Sequence, residues 1–167
     1  LANIKIAKEM GVTGVMQPFV RDHSDLECVK EALREAGAED IRLFAKIENM
    51  DGVRKLEKLL PAADEIVIAR GDLGNAVHLW DLPGVQRQIS EKCRAAGKPF
   101  MVVTQMLASM ERSPVPTRAE VNDIFHAVMD GAASIMVTGE TAVGDYPVEV
   151  IRYMVNTVRS AEKEENR

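Results

Sequence analysis

Apolar residues along the chain alternate between short compact runs and longer segments with helical spacing. The runs Val12–Val20, Ile41–Glu48, Ile66–Ala69, Phe100–Val103 and Ala133–Val137 predict strands, several apolar on both faces as in a parallel sheet. Between them, apolar residues recur every three or four positions, the pattern of amphipathic helices. Leu26, Val29, Leu33 and Ala36 form one such stripe, and Val53, Leu56, Leu59 and Leu60 another. Val85, Ile89 and Cys93 form a third, Val121, Ile124, Phe125 and Val128 a fourth, and Val148, Ile151, Val155 and Val158 a fifth. A shorter helical segment opens the chain through Leu1, Ile4, Ile6, Ala7 and Met10, and Gly11 ends it. Gly37, Gly97 and Gly131 stand where helices should stop, and Pro83 and Pro147 where helices should start. Ser24 with Glu27, and Thr117 with Glu120, have the spacing of capping boxes. Asn75–Trp80 fits a loop or a single helical turn, Glu111–Pro116 a polar loop, and the charged tail Glu162–Arg167 is expected to fray.

The result is five strands alternating with helices, a rhythm shared by doubly wound sheets and β/α barrels. A doubly wound sheet gathers its polar residues at one switch point. Here every strand end carries them: Gln17 and Arg21, Lys46 and Glu48, Arg70 and Asp72, Thr104 and Gln105, Thr138 and Glu140. That distribution favours the barrel. A full barrel has eight units and typically about 250 residues, so the 167 residues predict one α/β domain that is a partial (β/α)8 TIM barrel of five units. The chain begins at Leu1, already inside a helical segment, and is expected to be a piece of something longer.

Composition narrows the function classes. A net charge of −5 with no basic stripe argues against a general nucleic-acid binder. No apolar run approaches the roughly 18–20 residues needed to span a membrane. The two cysteines, Cys28 and Cys93, sit far apart in helical patterns, which argues for a reducing, cytoplasmic setting over a disulfide scaffold.

The chemistry concentrates at two strand ends. Residues two apart in a strand share a face, so Lys46 is expected to point with Glu48, and Arg70 with Asp72. Neighbouring strands lie roughly 4.8 Å apart, which would bring two carboxylates and two cations into one small volume. Glu48 and Asp72 then read either as a magnesium or manganese site or as rim carboxylates paired with Lys46 and Arg70. Lys46 reads as a stabiliser of phosphoryl or enolate charge or as a structural ion-pair partner. Gly71 permits close approach of a substrate to the backbone, and the amides after it suit a carboxylate if a helix turn begins there. Thr104 offers a hydroxyl at the rim. His23 and His78 in loops, and His126 on a helix face, read as structural; Trp80 reads equally as packing anchor or substrate contact. Met106 and Met110 read as core.

The motifs Lys46-Ile47-Glu48-Asn49, Ala69-Arg70-Gly71-Asp72-Leu73-Gly74, Lys98-Pro99 and Thr104-Gln105-Met106-Leu107 resemble those of the pyruvate kinase family. So do Pro116-Thr117-Arg118-Ala119-Glu120, Asp130-Gly131-Ala132, Gly139-Glu140-Thr141-Ala142 and Tyr146-Pro147. The resemblance implies the fourth to eighth βα units of that family's catalytic barrel. It implies transfer of a phosphoryl group from phosphoenolpyruvate to ADP, giving pyruvate and ATP. Glu48 and Asp72 would hold Mg2+ or Mn2+, and Lys46 and Thr104 would be catalytic. Lys46, Gly71, Asp72 and Thr104 would bind substrate, supported by Arg70 and Asn49. Potassium ligands and most nucleotide contacts would come from the family's N-terminal half, and the family's lid and C-terminal regulatory domains are expected to lie outside these residues. The sequence departs from the family at Gln17-Pro18-Phe19-Val20-Arg21, where proline replaces serine, at Asn75-Ala76-Val77-His78, and at Thr138.

Two other readings remain open on the residues: a metal-dependent aldolase or lyase acting on pyruvate-like enolates, and a non-catalytic kinase-like module. A half-barrel also predicts open edges at Val12–Val20 and Ala133–Val137, and an inner face exposing Ile66 and Ile68. A homo-oligomer, or association with the rest of the full enzyme, is expected on that ground.

Overall fold

The computed structural model of the chain describes residues 3–165. Leu1, assigned to the opening helical stripe, and the last two residues of the charged tail lie outside the described residues. The element order is that of a partial (β/α) barrel, five strands alternating with helices and parallel in each described pair. The chain divides into two compact units, Leu1–Phe100 and Met101–Arg167.

The first unit runs α1 (Ile4–Ala7), β1 (Gly14–Gln17), α2 (His23–Glu35) and β2 (Arg42–Ile47). It continues with α3 (Met50–Arg54), α4 (Leu56–Leu59), β3 (Glu65–Ala69), α5 (Arg70–Ala76) and α6 (Leu82–Ala95). β1 pairs with β2 from Gly14↔Arg42 to Gln17↔Ala45, and β2 with β3 from Phe44↔Glu65 to Ile47↔Ile68. All five residues of β3 are buried. Ile66 and Ile68 are fully enclosed, not exposed on an inner face as the half-barrel argument expected. Burying each such side chain stabilises the fold by about 1.5–3 kcal/mol. Gly14 is required by close packing, since a Cβ there would stand 2.6 Å from the Phe44 ring.

Several boundaries differ from those the pattern predicts, each for a local reason. β1 is four residues long, because Pro18 offers no N–H to a ladder and Phe19 takes φ 51. The N-cap of α2 is Asp22, not Ser24; its carboxylate accepts the Ser24 amide at 3.1 Å. His23 is therefore the first residue of a helix, not part of a loop. The Val53–Leu60 stripe is broken at Lys55 into α3 and α4, and Pro61 lies within a 3-10 turn, Leu60–Ala62. Trp80 is 78% exposed and stacks on His78 at 4.7 Å, so it is no packing anchor.

The second unit holds most of β4 (Phe100–Val103), then a 3-10 segment (Ala108–Glu111), α7 (Arg118–Met129), β5 (Ser134–Met136), α8 (Gly139–Ala142) and α9 (Pro147–Glu165). β4 pairs with β5 from Met101↔Ser134 to Val103↔Met136. Met106 and Met110 are fully buried, as expected of core. α7 packs on α9, but not through the stripe that spacing selects. Val148 and Ile151 are 64% and 43% exposed, while Val150, Thr157 and Ala161 are buried. Thr157 disguises that inner face as polar; its hydroxyl donates to the Tyr153 carbonyl at 2.8 Å, which lets it be buried. The described part of the charged tail, Glu162–Glu165, is the last turn of α9.

The capping box of α7 is complete. Thr117 Oγ1 accepts the Glu120 amide at 3.2 Å, and Glu120 Oε2 accepts the Thr117 amide at 2.8 Å. Glu120 also accepts the Ser109 amide at 2.7 Å and the Ser109 hydroxyl at 2.6 Å, tying the 3-10 segment to the helix. Burial pushes the Glu120 carboxyl up, but the bonds from Ser109 and Thr117 outweigh it and hold it below its ordinary 4.5.

A carboxyl held low in the fold contributes stability above its unfolded value and loses it as pH falls through the folded one. Wild type should therefore lose more stability than Glu120→Gln as pH drops below 4.5, measured by urea unfolding across that range. Thr117→Ala should cost about 1 kcal/mol at neutral pH.

Candidate active site

At the ends of β1 and β2 the first unit builds a rim around a buried carboxylate. Glu48 lies one residue past β2, with its side chain 1% exposed. Lys46 Nζ stands 2.7 Å from its Oε1, and the Phe19 amide donates to its Oε2 at 2.6 Å. The expected shared direction of Lys46 and Glu48 is therefore realised as direct contact. Such pairing offsets the cost of taking a carboxylate out of water. The Lys46 side chain remains 26% exposed.

The loop after β1 is stitched to the loop after β2. The Val20 amide donates to the Lys46 carbonyl at 3.3 Å, and Asn49 Nδ2 donates to the Val20 carbonyl at 3.2 Å. Asn49 also caps α3, its Oδ1 accepting the Gly52 amide at 2.9 Å. Phe19 reaches Glu48 only through its left-handed φ of 51, a conformation uncommon outside glycine, Asn and Asp. Phe19, Arg21 and Asn49 face an open groove of about 490 Å³. Arg21 is held by Asp25 at 3.1 Å, and that hydrogen bond raises the guanidinium further above its usual value.

Beyond β3 the structure corrects the expected geometry. Arg70 and Asp72 do not continue a strand; both lie in the first turn of α5, which starts directly after Ala69. Residues two apart on a helix point to nearly opposite sides, so the shared direction expected of them fails. Ala69 provides no side-chain cap, and the helix start therefore left no mark in the residue pattern. Leu73, fully buried, anchors this helix, and Asp72 is exposed. Glu48 and Asp72 are hard oxygen donors, and Mg2+ typically takes one or two carboxylates with water and substrate oxygens. Among the described residues, no group of three or more His, Cys, Asp or Glu side chains is arranged to hold a metal.

In the second unit, two left-handed residues follow β4, Thr104 at φ 78 and Gln105 at φ 55. For a β-branched residue this conformation is an outlier, of the kind that gathers at functional sites when the surroundings enforce it. Met106 and Leu107 after them are fully buried. The sequence-based reading missed the amides of Phe19 and Val20 and the role of Gly52, because backbone donors and close approaches leave no side-chain signal.

A family profile described as "Pyruvate kinase, barrel domain" matches residues 1–151. The chain is 44% identical over 155 residues to a pyruvate kinase of Bacillus licheniformis, covering 93% of this chain and 26% of that protein. It is 42% identical to one from Clostridium acetobutylicum, covering 91% and 32%, and 43% identical to one from Dictyostelium discoideum, covering 97% and 32%. The chain thus spans 26% to 32% of the length of these relatives. Among the described residues, no helix is long and apolar enough to cross a membrane.

The rim stitch predicts opposite signs for two glycine changes. A Cβ on Gly52 would stand 2.6 Å from the Val20 carbonyl, whereas one on Gly84 meets nothing within 4 Å. Gly52→Ala should destabilise by about 1–3 kcal/mol, and Gly84→Ala, inside α6, should stabilise by about 0.4–1 kcal/mol. Denaturant midpoints of the two variants check this.

Proposed function

The chain belongs to the pyruvate kinase family, and on that premise we propose that it is the fourth-to-eighth βα segment of a catalytic barrel that makes pyruvate and ATP. We further read residues 1–167 as one domain of that barrel. The observation that carries the reading is the Lys46 side chain, partly open to solvent with its ammonium 2.7 Å from the buried Glu48 carboxylate. In the reaction, the phosphorus–oxygen bond to the enol oxygen of phosphoenolpyruvate breaks and one to a terminal phosphate oxygen of ADP forms. The enolate left behind takes a proton at its methylene carbon.

Each residue has a task in this reading. Lys46 offsets negative charge on the transferring phosphoryl group and on the enolate oxygen. Glu48 and Asp72 would hold Mg2+ or Mn2+, which supplies charge neutralisation to the phosphate and enolate oxygens when bound. Gly71, without a side chain, lets the substrate carboxylate approach the backbone, and the Asp72 amide joins it. Thr104 donates a hydrogen bond to that carboxylate and stands as a candidate for delivering the proton. Arg70 and Asn49 support the rim. Potassium, the nucleotide contacts and a homo-oligomeric assembly belong to the full enzyme in this reading, as does a cytoplasmic location.

Two measurements test it. Manganese titration followed by paramagnetic relaxation should show binding by the wild type that Glu48→Gln and Asp72→Asn each weaken; equal binding by all three would remove the metal assignment. In the full enzyme Lys46→Ala should lower kcat on the order of 10²–10³-fold. Residues 1–167 alone should form pyruvate from phosphoenolpyruvate and ADP at a negligible rate, because phosphoryl transfer depends on positioning both substrates. Robust turnover by the isolated chain, abolished by Lys46→Ala, would show that the nucleotide site lies within it.

A further inference from the structure

Glu140 has no task in the reaction above, yet it is 2% exposed. It sits in α8, two residues past Thr138. Its Oε1 accepts the Leu107 amide at 3.2 Å, and its Oε2 accepts the Thr138 amide at 2.8 Å. One carboxylate therefore joins the loop after β4 to the loop after β5, as Glu48 joins the loops after β1 and β2 in the first unit. Burying a carboxylate is costly, and its retention requires donors at fixed positions.

The segment Glu140 holds is the strained one. Leu107 ends the bend that begins with Thr104 at φ 78 and Gln105 at φ 55. Such conformations persist only where the surroundings over-determine them. The buried side chains of Met106 and Leu107 supply the apolar part of that constraint, and Glu140 supplies the polar part. The chain just after α8 lies against the 3-10 segment, the Asp145 amide donating to the Glu111 carbonyl at 2.9 Å, and a Cβ on Gly144 would stand 3.1 Å from Glu111 Cα.

We infer that Glu140 is a positioning residue for Thr104: by fixing the Leu107 and Thr138 amides it keeps the Thr104 turn in its left-handed form. The inference rests on the reading of Thr104 as a group that binds the substrate carboxylate. A glutamine at 140 keeps the size but can accept only one amide well, turning its own NH2 toward the other. The turn would then relax and carry the hydroxyl off its position.

The test is a double-mutant cycle in the full enzyme with Glu140→Gln and Thr104→Val, reading kcat, KM, pyruvate affinity and melting temperature. Glu140→Gln is expected to lower kcat and pyruvate affinity ~10- to 100-fold, and to speed amide hydrogen exchange at Leu107 and Thr138. In the Thr104→Val background it should add less than about twofold, since both changes act on one interaction. A lower melting temperature with unchanged kinetics would overturn the inference, and so would effects that multiply fully in the double variant. If Thr104→Val alone left pyruvate affinity unchanged, the reading of Thr104 would fall and this inference with it. Should Glu140→Gln not accumulate, Glu140→Asp is read in the same way, since it keeps the charge and loses the reach.

Discussion

A carboxylate shut away from water is costly unless donors meet both of its oxygens, and the rim of this fold is built around that constraint. Glu48 is satisfied by an ammonium from its own strand and by a backbone amide from the neighbouring loop. Phe19 must adopt a left-handed φ, because only then does its N–H face Glu48. Asn49 then fixes Val20 and caps α3 with one side chain, and Gly52 must lack a Cβ to fit beneath the Val20 carbonyl. Each of these features follows from placing one acid where water does not reach.

The same logic governs the second unit with different parts. Glu140 is met by two amides, and Glu120 by the amides and hydroxyls of Ser109 and Thr117. These carboxylates tie loop backbone to neighbouring elements through its amides. Rigidity at a strand end matters for phosphoryl transfer, where the protein contributes mainly position and charge. In the function proposed for Lys46, its ammonium depends on a partner that does not drift.

Exposure marks where the chain deals with solvent instead. His78 and Trp80 stack outside the core. Val148 and Ile151 form an outward apolar stripe on α9 while another face of that helix packs on α7. The helix is apolar on more than one side, and spacing alone cannot choose between the sides.

What the sequence determined by itself was the order and kind of the elements, because period-2 and period-3.6 patterns follow directly from backbone geometry. Phe100–Val103 and the Thr117 capping box appear where their residues place them, and the contact of Lys46 with Glu48 follows from their spacing. The tertiary structure alone decided the rest. It turned Arg70 and Asp72 into a helix, because Leu73 found a buried place and no cap residue announced the change. It rotated α9 onto Val150 and Thr157, because a threonine can satisfy its hydroxyl within its own helix and so pass for apolar. It also recruited the amides of Phe19, Leu107 and Thr138, donors that every residue but proline carries and that only the fold can aim.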